Sequence, residues 1–230
     1  MKLQEIIDNE YTRKIGFLCR AINFLEDVLE DAECDEIRVE RNGLERYIVI
    51  LEPVKCRHDV AESIRAFRDQ YDLEVLLDLG NMAFNELYEH VINYYVRTLH
   101  SVIKRYALET DKAGIEYYLG VLFNGKGFII EGEKNKVIMP GNIPQCISAH
   151  THPLNNPIPS KDDVKFINAI LVNRGIGHII ETSGSGIAIY RAGPLSISDY
   201  EFLRRIERYG DTYQVMHYLT RMTIVKTRYI

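Results

Sequence analysis

The chain has 230 residues, 46% hydrophobic and 27% charged, an ordinary globular composition that excludes wholesale disorder. No apolar run approaches the roughly 18 residues that a membrane-spanning helix needs. MKLQEIIDNE carries charge where a signal peptide requires its apolar core, which argues against secretion, and the net charge of −5 argues against general affinity for nucleic acid or a membrane surface.

Cys19, Cys34, Cys56 and Cys146 lie far apart with no CxxC pair. That excludes a zinc ribbon or a thioredoxin-type motif, and the expectation is reduced thiols in a cytoplasmic protein. Charge is uneven: residues 1–80 carry a net −8 and residues 81–230 a net +3. An acidic first part repels a phosphate backbone and suits a protein partner with basic patches, but a solvated surface is the simpler reading, since charge runs usually mean no more.

Residues 3–31 read as one helix, because Ile6, Ile15, Leu18, Ile22, Leu25 and Leu29 recur near helical spacing among charged residues. EIRVERNGLERYIVILEP then alternates on both sides of Asn42-Gly43, which predicts a two-residue hairpin turn. Residues 58–71 read as a helix and EVLLDL (74–79) as a strand broken by Gly80-Asn81. An amphipathic pattern predicts one long helix over 82–108. IEYYLGVLF (115–123) and GFIIEGE (127–133) read as a hairpin across Asn124-Gly125-Lys126. CISAHTH (146–152) reads as a strand, SKDDVKFINAILVNRG (160–175) as a helix with a Ser cap and a terminal Gly. GHIIET and GIAIYR form a further hairpin, and 197–222 is helical. This order predicts a layered α/β domain with a mixed β-sheet flanked by helices over 81–230, preceded by a smaller α+β region over 1–80.

The chemistry concentrates in His150-Thr151-His152-Pro153 and the following Ser160-Lys161-Asp162-Asp163. Histidines at i and i+2 of a strand point to the same side of a sheet, so both imidazoles can reach one ion. Asp163 falls in the first turn of the next helix, where a loop return can bring its carboxylate to the same place. Two imidazoles and one carboxylate leave the fourth tetrahedral position of Zn²⁺ open, the arrangement of catalytic zinc. Ser160 and Asp163 also read as a capping box, which is compatible with metal binding because a cap fixes a ligand's rotamer. Asp162 competes with Asp163 as ligand, and the spacing prefers Asp163. Cys146 reads as a small buried hydrophobe, Thr151 as packing, and His178 as a structural histidine.

His150-x-His152-x7-Ser160-x2-Asp163 resembles the signature of the JAMM/MPN+ zinc metalloproteases, the JAB1/MPN domain of the Mov34 family. The family also carries a glutamate upstream, near a strand reading E-x-x-G. Glu116-Tyr-Tyr-Leu-Gly120 supplies it 34 residues before His150, with one residue more than usual before Gly120 and the strand's second glycine displaced to Gly125. Glu131 and Glu133 are rivals on the next strand. The resemblance covers residues 85–193 and implies a cytidine-deaminase-like layered fold. It implies that His150, His152 and Asp163 hold Zn²⁺, that Glu116 takes a proton from water and delivers it to the leaving amine, and that Ser160 donates to the developing oxyanion. The implied substrate is a ubiquitin-like protein or its conjugate, cut at a peptide or isopeptide bond. The alternatives are a RadC-like DNA-repair-associated protein, which the acidic first part and the lack of a basic cluster disfavour, and a non-catalytic MPN scaffold, whose members usually lack the ligands kept here. Nucleobase deaminases need His-x-Glu and Pro-Cys-x-x-Cys, and HExxH proteases need that segment; neither occurs.

Overall fold

The computed structural model describes residues 2–134, 143–209 and 212–230. Its centre is a seven-stranded mixed sheet in the order β1-β7-β6-β8-β9-β10-β11. The strands are β1 (Lys2–Ile7), β6 (Ile115–Leu122), β7 (Gly127–Lys134), β8 (Gln145–Thr151), β9 (Gly177–Glu181), β10 (Gly186–Arg191) and β11 (Val225–Tyr229). All neighbours are antiparallel except β8 and β9, which run parallel. A parallel pair needs a crossover, and α6 (Lys161–Val172) supplies it. A second, four-stranded sheet has the order β4-β3-β2-β5, from β2 (Cys34–Val39), β3 (Ile48–Cys56), β4 (Glu74–Leu77) and β5 (Met82–Ala83).

Helices cover both faces of the large sheet, so its central strands are buried on both sides. On one face lie α1 (Glu10–Asp31), α4 (Glu86–Thr98) and α5 (His100–Ala113), which share a core with Leu119, Val121, Ile147, Ala149 and Ile179. On the other lie α6, α7 (Ile197–Tyr209) and α8 (Thr212–Leu219) against Ile180, Ile187 and Ile189. The mixed, layered α/β class expected from the element order is therefore present. Residues from both sides of position 80 build the same sheet and core: β1 pairs with β7, and α1 packs with strands β6 and β8. No described helix is long and apolar enough to cross a membrane.

Several local expectations change. The first five residues of the predicted 3–31 helix belong to β1, and α1 starts only at Glu10, where Asn9 caps Tyr11 and Thr12. Asn42-Gly43 makes no two-residue turn. The Glu40 carboxylate accepts the N–H groups of Asn42 (3.0 Å) and Gly43 (2.6 Å), which nucleates α2 (Arg41–Glu45), and Tyr47 takes the left-handed φ of 63° instead. The long helix expected over 82–108 is β5 followed by two helices that part at Leu99, whose side chain is fully buried. Residues 197–222 hold α7 and α8, with 210 and 211 outside the described residues. The hairpin at Asn124-Gly125 is present: Gly125 adopts φ +83°, and a side chain at Gly16 would meet its backbone at 2.6 Å, so α1 lies directly on the turn.

The cysteines overturn the expectation of reduced thiols. Cys19 of α1 is disulfide-bonded to Cys146 of β8, and Cys34 to Cys56 across the paired strands β2 and β3. Both sulfurs of the first bridge belong to fully buried residues. Cys146 thus acts as a covalent tie between α1 and the central strand as well as a small buried group.

Candidate metal centre

β8 occupies the middle of the sheet, and all seven of its residues are buried. His150 pairs with Tyr118 of β6 on one side and Ile180 of β9 on the other. The His152 N–H donates to Glu181 O at 2.8 Å, so the ladder continues one residue past the strand. That continuation keeps the strand alternation intact, and His150 and His152 project from the same face. Thr151 projects from the other, where its hydroxyl lies 2.7 Å from Thr110 Oγ1 and accepts Tyr117 N–H at 2.8 Å.

The third group arrives through the crossover. Pro153–Pro159 turn back to Ser160, which caps α6: Ser160 Oγ accepts Asp163 N–H at 3.2 Å and Ser160 N–H donates to Asp163 Oδ2 at 2.6 Å. The cap sets the Asp163 rotamer, and the helix N-terminus favours its negative charge. Asp163 is buried while Asp162 is exposed, so the spacing preference and the geometry select the same carboxylate.

His150, His152 and Asp163 each offer a ligand atom, all within 4.8 Å of one another. Asp163 Oδ1 stands 3.1 Å from His150 Nε2 and Oδ2 stands 3.3 Å from His152 Nε2. His150 Nε2 is buried and makes no hydrogen bond among the described residues. A buried ring nitrogen without a hydrogen-bond partner, beside a second imidazole and a carboxylate, fits a divalent cation such as Zn²⁺. Burial alone would raise the Asp163 carboxyl, but the two imidazoles outweigh it and hold it well below the usual range. Burial works against a charge on His152 too, and there the carboxylates of Asp163 and Glu116 prevail and raise it.

Glu116 lies on β6, where the pairing with β7 shifts register between Ile115 and Tyr117. The antiparallel register Tyr118–His150, continued by two residues, sets Glu116 opposite His152. Its buried carboxylate acts electrostatically on that ring. The rivals lie elsewhere: Glu131 accepts from Gln4 on β1, and Glu133 is exposed. Ser160 uses only an oxygen lone pair in its cap, so its O–H hydrogen is not consumed there.

One residue read as merely structural sits against the group. His178 of β9 is fully buried, and its Nε2 lies 2.6 Å from His150 Nδ1. Its Nδ1 lies 2.7 Å from Ser148 Oγ. The strand–helix–strand order around α6 is the only sequence signal that could have brought it near, because it implies that β8 and β9 are parallel neighbours.

No protein-family model matches the chain, no curated protein matches it, and no solved structure matches it.

Proposed function

We propose that this chain is a zinc-dependent peptidase or isopeptidase of the JAMM/MPN+ type. The observation that carries the reading is the convergence of His150, His152 and Asp163 at the carboxyl end of β8, with the buried Glu116 carboxylate acting on His152. Zn²⁺ bound by those three residues would lower the pKa of a water molecule toward about 7 and polarise a carbonyl. Glu116 serves as general base for that water and then as general acid toward the leaving amine. Ser160 donates its hydroxyl hydrogen to the negative charge that develops on the carbonyl oxygen, a contribution worth about 10²–10³ in rate for comparable donors. The capping box holds Ser160 and Asp163 in one rigid turn, so ligand and oxyanion donor keep a fixed spacing.

The resemblance supports a ubiquitin-like protein or its conjugate as substrate, cut after its C-terminal glycine. The acidic residues 1–80 are suited to a basic protein partner. The test combines zinc stoichiometry with hydrolysis of a Gly-Gly-Lys isopeptide probe, wild type against Glu116→Gln. The expected result is retained zinc with cleavage lowered about 10²–10⁴-fold in the variant. Full activity in Glu116→Gln places the base elsewhere, and a wild-type chain that binds no zinc and cuts nothing favours a scaffold.

A further inference from the structure

Behind the His150 ring runs a line of buried polar groups. His150 Nδ1 faces His178 Nε2 at 2.6 Å, and His178 Nδ1 faces Ser148 Oγ at 2.7 Å. All three residues are buried.

The direction of the protons follows from the metal end of this line. A cation held by His150 Nε2 takes the lone pair of that nitrogen, so the His150 hydrogen sits on Nδ1. His178 Nε2 then accepts that hydrogen, which leaves the His178 hydrogen on Nδ1 as the donor to Ser148 Oγ. The two imidazoles meet edge to edge: their planes differ by 23°, and the 4.8 Å between centroids is the N–N separation plus the two ring radii. That is the in-plane geometry a ring N–H requires. Phe166 closes the other side of His178 with its ring 5.3 Å away, nearly perpendicular.

We infer that the Ser148–His178 relay holds hydrogen on His150 Nδ1 and so presents the Nε2 lone pair to the cation, with His178 as the positioning residue. The inference rests on the metal-site reading above and extends it to a residue outside the motif. Partners that orient a metal-bound histidine typically carry 10- to 100-fold in metal affinity.

The experiment uses the full chain and zinc alone as probe. Imidazole ¹⁵N NMR should show His178 with hydrogen on Nδ1 in the zinc-free and the zinc-loaded protein. Competition titration against a chelator should show His178→Leu binding zinc about 10- to 100-fold more weakly. His178→Gln, whose amide offers one acceptor and donors in similar places, should recover most of that loss. Ser148→Ala tests the far end of the relay without altering the histidines: with no acceptor left for its Nδ1–H, His178 should show mixed tautomers. The inference falls if His178 carries its hydrogen on Nε2, or if zinc affinity is unchanged in His178→Leu and Ser148→Ala. Cleavage failing while tautomer and zinc affinity behave as described removes the hydrolase reading alone. Cleavage by a protein with His178 protonated on Nε2 removes this inference alone.

Discussion

His150 Nε2 and Asp163 Oδ1 stand 3.1 Å apart with both side chains buried, yet no hydrogen bond joins them. The carboxylate divides its two oxygens between two imidazoles and satisfies the nitrogen of neither ring fully. A cation accepts lone pairs from all three groups at once and relieves that arrangement. Zinc at about 100 times its Kd should therefore stabilise the fold by about 2.7 kcal/mol. For a chain of this length that corresponds to a rise in Tm of roughly 5–10 °C. Scanning calorimetry with zinc and with chelator measures it, and Asp163→Asn should abolish the shift. An equal Tm in both buffers counts against the metal centre.

The parts of this molecule that were legible in its sequence are those whose cause is local. His150 and His152 share a face because a strand alternates, and Asp163 returns because Ser160 caps a helix. Both rules act within a few residues. Glu40 shows where local reading stops: its carboxylate captures the Asn42 and Gly43 amides and turns a hairpin signal into a helical turn. β1 escaped because Ile6 continues the apolar spacing of α1, and only pairing with β7, over a hundred residues away, makes it a strand. His178 escaped for the same reason. Its meaning lies in a parallel register with Ser148 that no spacing within either strand encodes.

The disulfides carry a prediction set by chain length. Cys19–Cys146 closes a loop with a sequence separation of 127 residues, and Cys34–Cys56 one of 22. Loop-closure entropy assigns about 5 kcal/mol to the first and about 3 kcal/mol to the second. Cys146→Ser should accordingly cost more stability than Cys56→Ser in urea denaturation, and mass analysis without reductant should find no free thiol in the wild-type chain. Four alkylatable thiols under native, non-reducing conditions would contradict both bridges.

The loop after His152 holds two consecutive residues in the left-handed region, Leu154 (φ 62°) and Asn155 (φ 52°). Leu154 is 89% exposed, so nothing in the core compensates its conformation. Asn155 differs: its Oδ1 accepts from Thr182 Oγ1 (2.7 Å), Gly184 N (3.2 Å) and Ser185 Oγ (3.3 Å), which pins the loop to the β9–β10 turn. Leu154→Gly should leave stability unchanged or raise it by up to about 1 kcal/mol. Asn155→Ala should cost about 1–3 kcal/mol and weaken zinc binding, because His152 Nδ1 is held by Asn156 O in the same loop. Paired urea melts and zinc titrations distinguish the two; a large loss in Leu154→Gly with none in Asn155→Ala would reverse the assignment.

Glu181 sets a pH dependence from the opposite face of the sheet. Its carboxylate is fully buried, with Oε1 2.7 Å from His100 Nδ1 and 3.5 Å from the Tyr95 hydroxyl, while Oε2 has no hydrogen-bond partner among the described residues. Burial pushes the carboxyl up, and the His100 contact only partly offsets it. A folded pKa above the unfolded value of about 4.3 means that the folded state binds the proton more tightly. The stabilisation is complete below the unfolded pKa and is lost as pH rises through the folded one. Glu181→Gln removes that slope, so its stability relative to wild type should improve steadily from pH 4 to neutrality. Urea denaturation of both proteins across this range measures the difference directly. A stability gap between variant and wild type that stays constant with pH would show that Glu181 is ionised in the folded chain as readily as in the unfolded one.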